Sequence, residues 1–133
     1  MNANIAKLTL FAALGLPLAA CAPEIDRPAT VDAPAVRVVG AAESCITTSQ
    51  IRNTKVHDDY TIDFEMNGGR TYRNTLPGRC GSLGFEERFA YQTTVGRLCN
   101  TDTITVLDSS GRSGITCGLG EFVPVEPVGD PSG

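Results

Sequence analysis

The chain has no tryptophan, a single histidine and only two methionines among its 133 residues. No apolar run reaches the roughly 18 residues a bilayer-spanning helix needs, so an ordinary helical membrane protein is excluded. Basic side chains are short as well: 11 Lys and Arg against 15 Asp and Glu leave a net charge of −4. That removes the global positive field that drives binding to a phosphate backbone, and it argues against a nucleic-acid protein. One imidazole leaves little material for acid-base or metal chemistry. What the chain does have is 14 glycines, eight prolines and five cysteines, the composition of a small, turn-rich, disulfide-bearing exported domain.

The first 20 residues read as an export signal. A polar start carrying Lys7 is followed by the apolar run Leu8 to Ala20, which has the length of a signal-peptide core and ends in small residues. The run closes on Leu18-Ala19-Ala20-Cys21, which resembles the lipobox of bacterial lipoproteins. In that family the signal is cut before the cysteine, which carries a diacylglycerol and an acylated amine. The resemblance therefore implies lipidation of Cys21 and attachment to a membrane through its acyl chains, each buried methylene contributing about 0.8 kcal/mol. Ordinary cleavage after Ala22 is the alternative, and it would put Pro23 just past the cut. In enterobacterial lipoproteins Asp after the lipidated cysteine favours inner-membrane retention. The residue here is Ala22, so the implied address is the outer membrane, with the domain facing the periplasm.

Cysteine arithmetic points the same way. An exported chain with an odd number of cysteines has one to explain. Setting Cys21 aside leaves Cys45, Cys80, Cys99 and Cys117, which suit two disulfides in an oxidising compartment. The sequence allows three connectivities. A nested pairing, Cys45 with Cys117 and Cys80 with Cys99, is preferred because it joins the ends of the domain and closes its middle loop, each bridge contributing roughly 2 to 4 kcal/mol.

Residues 21–42, with Pro23, Pro28 and Pro34, show neither helical nor strand period and read as a semi-extended tether with a reach of roughly 25 Å; the exception, Val36-Arg37-Val38-Val39, is either an added edge strand or, the preferred reading, only the point where order begins. Residues 126–133 are expected to be a disordered tail, since Pro124, Pro127 and Pro131 are spaced to exclude a central strand. Between them, residues 43–125 form the domain. Tyr60 to Met66 alternates apolar with polar residues without a break, placing Ile62, Phe64 and Met66 on a core face and Thr61, Asp63 and Glu65 on a wet one. Asn67-Gly68-Gly69 supplies a tight reversal, and Arg70 to Leu76 alternates again, which makes a hairpin. Ile51–Val56, Ala90–Thr94 and Thr103–Leu107 add strands, and Ile115-Thr116-Cys117 with Glu121-Phe122-Val123 close the domain. Phe85 to Phe89 fits one helical turn or a bent strand. The expected class is mainly β: a small antiparallel sheet curled into a barrel or sandwich and stapled by two disulfides.

Across this core, Cys45-Ile46, Ile51-Arg52, Thr54 with Val56 and Asp58, Tyr72 to Leu76, Cys80, Leu83-Gly84, Leu98-Cys99, Asp102, Ile104 with Val106, and Cys117 to Gly120 with Phe122 resemble a family of small exported proteobacterial proteins of unknown function. The resemblance implies a setting and no activity.

Catalytic patterns are sparse. His57-Asp58-Asp59 offers a nitrogen and two carboxylates, yet three adjacent residues do not converge readily on one metal, and the sequence reads best as a solvated turn. Neither Ser82 nor Ser113 lies in a G-x-S-x-G frame. Glu86 and Glu87 diverge in a strand or a helix, whereas a glycosidase pair must converge at roughly 5 to 10 Å. No CxxC spacing marks a redox pair. Residues 43–69 are acidic overall, whereas 70–112 carry Arg70, Arg73, Arg79, Arg88, Arg97 and Arg112, a face either paired across strands or suited to anions. No catalytic, cofactor-binding or metal residue is assigned and no cofactor is expected. The expected function is a lipid-anchored envelope protein acting as a binding or structural module, with the membrane as its first partner and an envelope protein or anionic glycan as a second, and no nucleic acid. The alternatives are an inhibitor of secreted hydrolases and a hydrolase or metal-dependent enzyme using His57.

Overall fold

A computed structural model describes residues 15, 33–93 and 95–128; Cys21 and, save for Gly15, the stretch expected to be an export signal lie outside the described residues. Among the described residues ten strands run antiparallel in three sheets: β1 (Val36–Val38), β2 (Cys45–Thr47), β3 (Ile51–Val56), β4 (Thr61–Met66), β5 (Thr71–Thr75), β6 (Phe89–Tyr91), β7 (Arg97–Cys99), β8 (Thr103–Leu107), β9 (Ser113–Gly118) and β10 (Phe122–Pro127). A one-turn helix, α1 (Leu83–Glu86), and a 3-10 turn at Thr48–Gln50 complete them. The large sheet has the order β1-β10-β5-β4-β3, beside a β2-β7 ribbon and a β6-β8-β9 sheet. The sheets do not close into a barrel: β1 and β3 remain edges of the large one.

The alternating hairpin forms where the pattern placed it. Phe64 faces Tyr72 and Glu65 faces Thr71, and Gly68 and Gly69 turn the chain with φ of 90° and 92°, a region that costs glycine nothing. Ile62, Phe64, Tyr72 and Phe122 of the large sheet share one buried cluster with Ile46 and Leu98 of the ribbon and Ile104 and Val106 of the small sheet. Phe64 stands edge-on to Phe122 at 5.4 Å and to Phe89 at 6.2 Å between ring centres, the preferred aromatic geometry. Asn74, fully buried, is satisfied by a reciprocal pair: its amide donates to the Gly120 carbonyl at 2.7 Å and its oxygen accepts the Gly120 N–H at 2.9 Å. It thus ties the loop before β10 to β5 and meets the requirement that buried polar groups be paired.

The disulfides join Cys45 to Cys99 and Cys80 to Cys117, which corrects the nested expectation. The reason is strand register. Cys45 and Cys99 are directly opposite in the β2-β7 ribbon, and Cys117, opposite Ile104 on β9, is beside the loop that carries Cys80.

Two further expectations change at the termini. Val36–Val38 is an edge strand against Val125 to Pro127, and β10 runs to Pro127 with Pro124 inside it, between β1 and β5. Pro124 is accommodated because a strand residue directs both backbone polar groups toward the same neighbour. Its carbonyl accepts the Val39 N–H at 2.9 Å, so its missing N–H belongs to the β1 side, where paired register has just ended, and the ladder to β5 loses nothing.

Candidate functional site

His57 directly follows β3 and is not a solvated residue: its side chain is 14% exposed, and Nε2 lies 2.8 Å from Asp63 Oδ2. Asp63, expected on a wet face, is itself buried. It does lie opposite the core residues Ile62 and Phe64, but the outer face is covered there. Arg73, its neighbour across the β4-β5 ladder, donates from Nε to Oδ1 at 2.8 Å and from one Nη to Oδ2 at 2.9 Å, while its other Nη reaches the Pro34 carbonyl at 2.8 Å. Burial pushes the Asp63 carboxyl up, but the forked Arg73 guanidinium and the His57 bond outweigh it and hold the group below its ordinary value. The arrangement orients an imidazole on a carboxylate, yet among the described residues no hydroxyl or thiol is hydrogen-bonded to His57. The cluster ties the residue after β3 to the middle of β4 and β5 and to the chain entering β1.

The two carboxylates next to His57 diverge from it. Asp58 Oδ1 accepts the Tyr60 N–H at 2.7 Å and closes the turn. Asp59 faces the loop after β5, accepting Arg79 Nε at 2.9 Å and the Gly84 N–H at 2.8 Å, while its backbone carbonyl accepts the Cys80 N–H at 2.8 Å. Among the described residues no group of three His, Cys, Asp or Glu side chains could hold a metal ion.

The turn at 57–59 is therefore the platform of the loop 80–88, and that loop is built for rigidity. Cys80 is bridged to Cys117 at its base, and Leu83 is fully buried. Gly84 packs so closely on the platform that a Cβ there would lie 3.0 Å from Asp58 Cα. The turn closes through Glu86 N–H to Ser82 O at 2.8 Å and Glu87 N–H to Leu83 O at 2.9 Å. Ser82 and Glu87, on either side of α1, adopt φ of 69° and 52°, a left-handed conformation that non-glycine residues occupy only when the surroundings impose it, and one that concentrates at functional sites. At the centre of this frame Phe85 is 86% exposed, flanked by Glu86 and Glu87. The sequence of this stretch fits a helical turn or a bent strand, and the structure forms the helical turn. Its one available signal was a lone aromatic beside two acids in a segment with no apolar period.

No protein-family model, curated protein or solved structure matches this chain.

Proposed function

We propose that the chain is a lipid-anchored envelope protein, held in the outer membrane through Cys21, that works as a protein-binding module through the loop 80–88. Phe85 carries this reading. Large aromatic side chains dominate protein interfaces when they project from pre-organised elements, and here disulfide, buried leucine and Asp59 all restrain the loop before any partner arrives. Glu86 and Glu87 beside it define the complement: a protein surface with an apolar pocket bordered by basic side chains. Lipidation at Cys21 would leave Ala22 to Ala33 between the acyl chains and the anchored Pro34, at most roughly 45 Å of extended chain, so the partner would belong to the membrane-proximal envelope. A secreted hydrolase is a second reading, favoured by the same feature, because a rigid projecting loop is what an inhibitor inserts into a substrate cleft.

A photoreactive amino acid at position 85, expressed in the full chain in the native host, is expected to give a discrete protein adduct that the same group at Arg37 does not. With the partner purified, Phe85→Ala is expected to weaken binding by at least about thirtyfold. Mass spectrometry of the mature unreduced protein is expected to show an acylated Cys21 at its start and two oxidised pairs. No adduct at 85 above the Arg37 level, or unaltered affinity in the alanine variant, overturns the loop assignment; a mature product without acyl mass overturns the anchor.

A further inference from the structure

Most described cations have a carboxylate within 4 Å: Arg37 with Glu126, Arg52 and Lys55 with Glu65, Arg73 with Asp63, Arg79 with Asp59, and Arg112 with Asp108. Among the described residues Arg70, Arg88 and Arg97 do not, and two of these, Arg70 and Arg97, line one cleft of about 430 Å³ between the β2-β7 ribbon and the tip of the β4-β5 hairpin. We propose that this cleft binds an acidic saccharide, its carboxylate held by Arg70 and Arg97. The inference is independent of the loop at Phe85.

The cleft is assembled by constraints that precede any ligand. Arg97 lies opposite Thr47 in a ribbon cross-linked by Cys45–Cys99, and the Thr48 N–H and hydroxyl both donate to the Gly96 carbonyl, at 3.0 and 2.9 Å. The hairpin tip is fastened to the same ribbon side by Asn67 N–H to the Gln50 carbonyl at 2.8 Å. Arg70 is oriented by a 3.3 Å bond from its guanidinium to the Tyr72 hydroxyl. Glu43, on the rim, has its backbone paired in both directions with Phe122 at 2.8 and 2.9 Å.

The lining selects the ligand class. Ile46, Met66 and Tyr72 are buried beneath the cleft, so the surface it offers is mostly polar, as a hydroxyl-rich ligand requires. Thr47, Gln50, Asn67 and Glu43 on the walls offer donors and acceptors for ring hydroxyls. The planar forks of two arginines suit a carboxylate. Two guanidiniums against the single Glu43 carboxylate leave one net positive charge, which matches a monoanion and disfavours a phosphate dianion facing Glu43.

Titration of the full chain with sodium glucuronate, followed by NMR, is expected to give saturable shifts at the Arg70 and Arg97 side-chain N–H signals and at Thr47 and Asn67, with none of comparable size from glucose or inorganic phosphate. Arg70→Gln and Arg97→Gln should each weaken glucuronate binding by about tenfold, and Arg97→Lys should recover part of it. Both side chains are exposed, so thermal midpoints should stay unchanged and report intact folding. Absence of saturable shifts, shifts mapping elsewhere, equal response to phosphate, or glutamine variants that bind as well as the parent would each overturn the assignment.

Discussion

Replacing Cys80 and Cys117 together by serine is expected to lower the unfolding free energy by about 4 kcal/mol, the loop-entropy value for a bridge whose ends are 37 residues apart in sequence. The bridge is the only covalent tie between the base of the Phe85 loop and β9, a strand that is mostly exposed and forms the edge of its sheet. Its removal should therefore act twice. Urea denaturation followed by far-ultraviolet circular dichroism would report the global loss, and limited proteolysis would report cleavage within 81–88 at urea concentrations where the large sheet is still intact. A loss under about 1 kcal/mol with no new cleavage would show that Leu83 and the Asp59 bonds hold the loop without the sulfur bridge.

Asp63→Asn is expected to cost at least about 3 kcal/mol, because it leaves Arg73, 13% exposed, buried against a neutral amide; removing one partner of a buried ion pair typically costs 3 to 5 kcal/mol. The effect must depend on pH in a determined direction. The folded protein holds the Asp63 carboxyl below its ordinary value, so the unfolded chain takes up the proton first as pH falls. The stabilisation is thus fully present above the ordinary carboxylate value near 4 and is lost as pH drops through the depressed one. Glu65, lowered by Lys55 and Asn53, adds a contribution of the same sign. Below about pH 4 the urea midpoint of the parent should fall. The Asn variant should start lower and fall less steeply. Parallel curves for the two proteins would mean the clamp contributes nothing.

Much of the fold was legible because its central part is local. Tyr60 to Leu76 alternates, turns on glycines and alternates again, and β3 and β8 announce themselves by β-branched residues between turns; one strand's pattern is enough to assign each. What was not legible depends on residues distant in sequence. Alternation correctly set Asp63 on the face opposite Phe64, but it cannot tell whether that face is wet, and Arg73 with the Pro34 segment covers it. Pro124 argued against a strand, yet only the point where β1 ends decides that its absent N–H costs nothing. The cysteine pairing turned on the β2-β7 register, 54 residues apart in sequence, and no spacing rule encodes it. As for the candidate sites, the arginines were visible as a basic stretch, but their division into paired and unpaired members is a property of the folded surface. Phe85 stands in a stretch that fits one helical turn or a bent strand, and neither pattern tells that its side chain is 86% exposed.

The position of β10 fixes when this protein can fold. Phe122–Pro127 comes last among the described strands, yet it sits between the first, β1, and β5. Until Pro127 has emerged from the ribosome, the large sheet lacks the strand that joins its two parts, and Cys80 waits for Cys117. Assembly of the large sheet is therefore a late, non-local event, of the kind that settles in milliseconds to seconds.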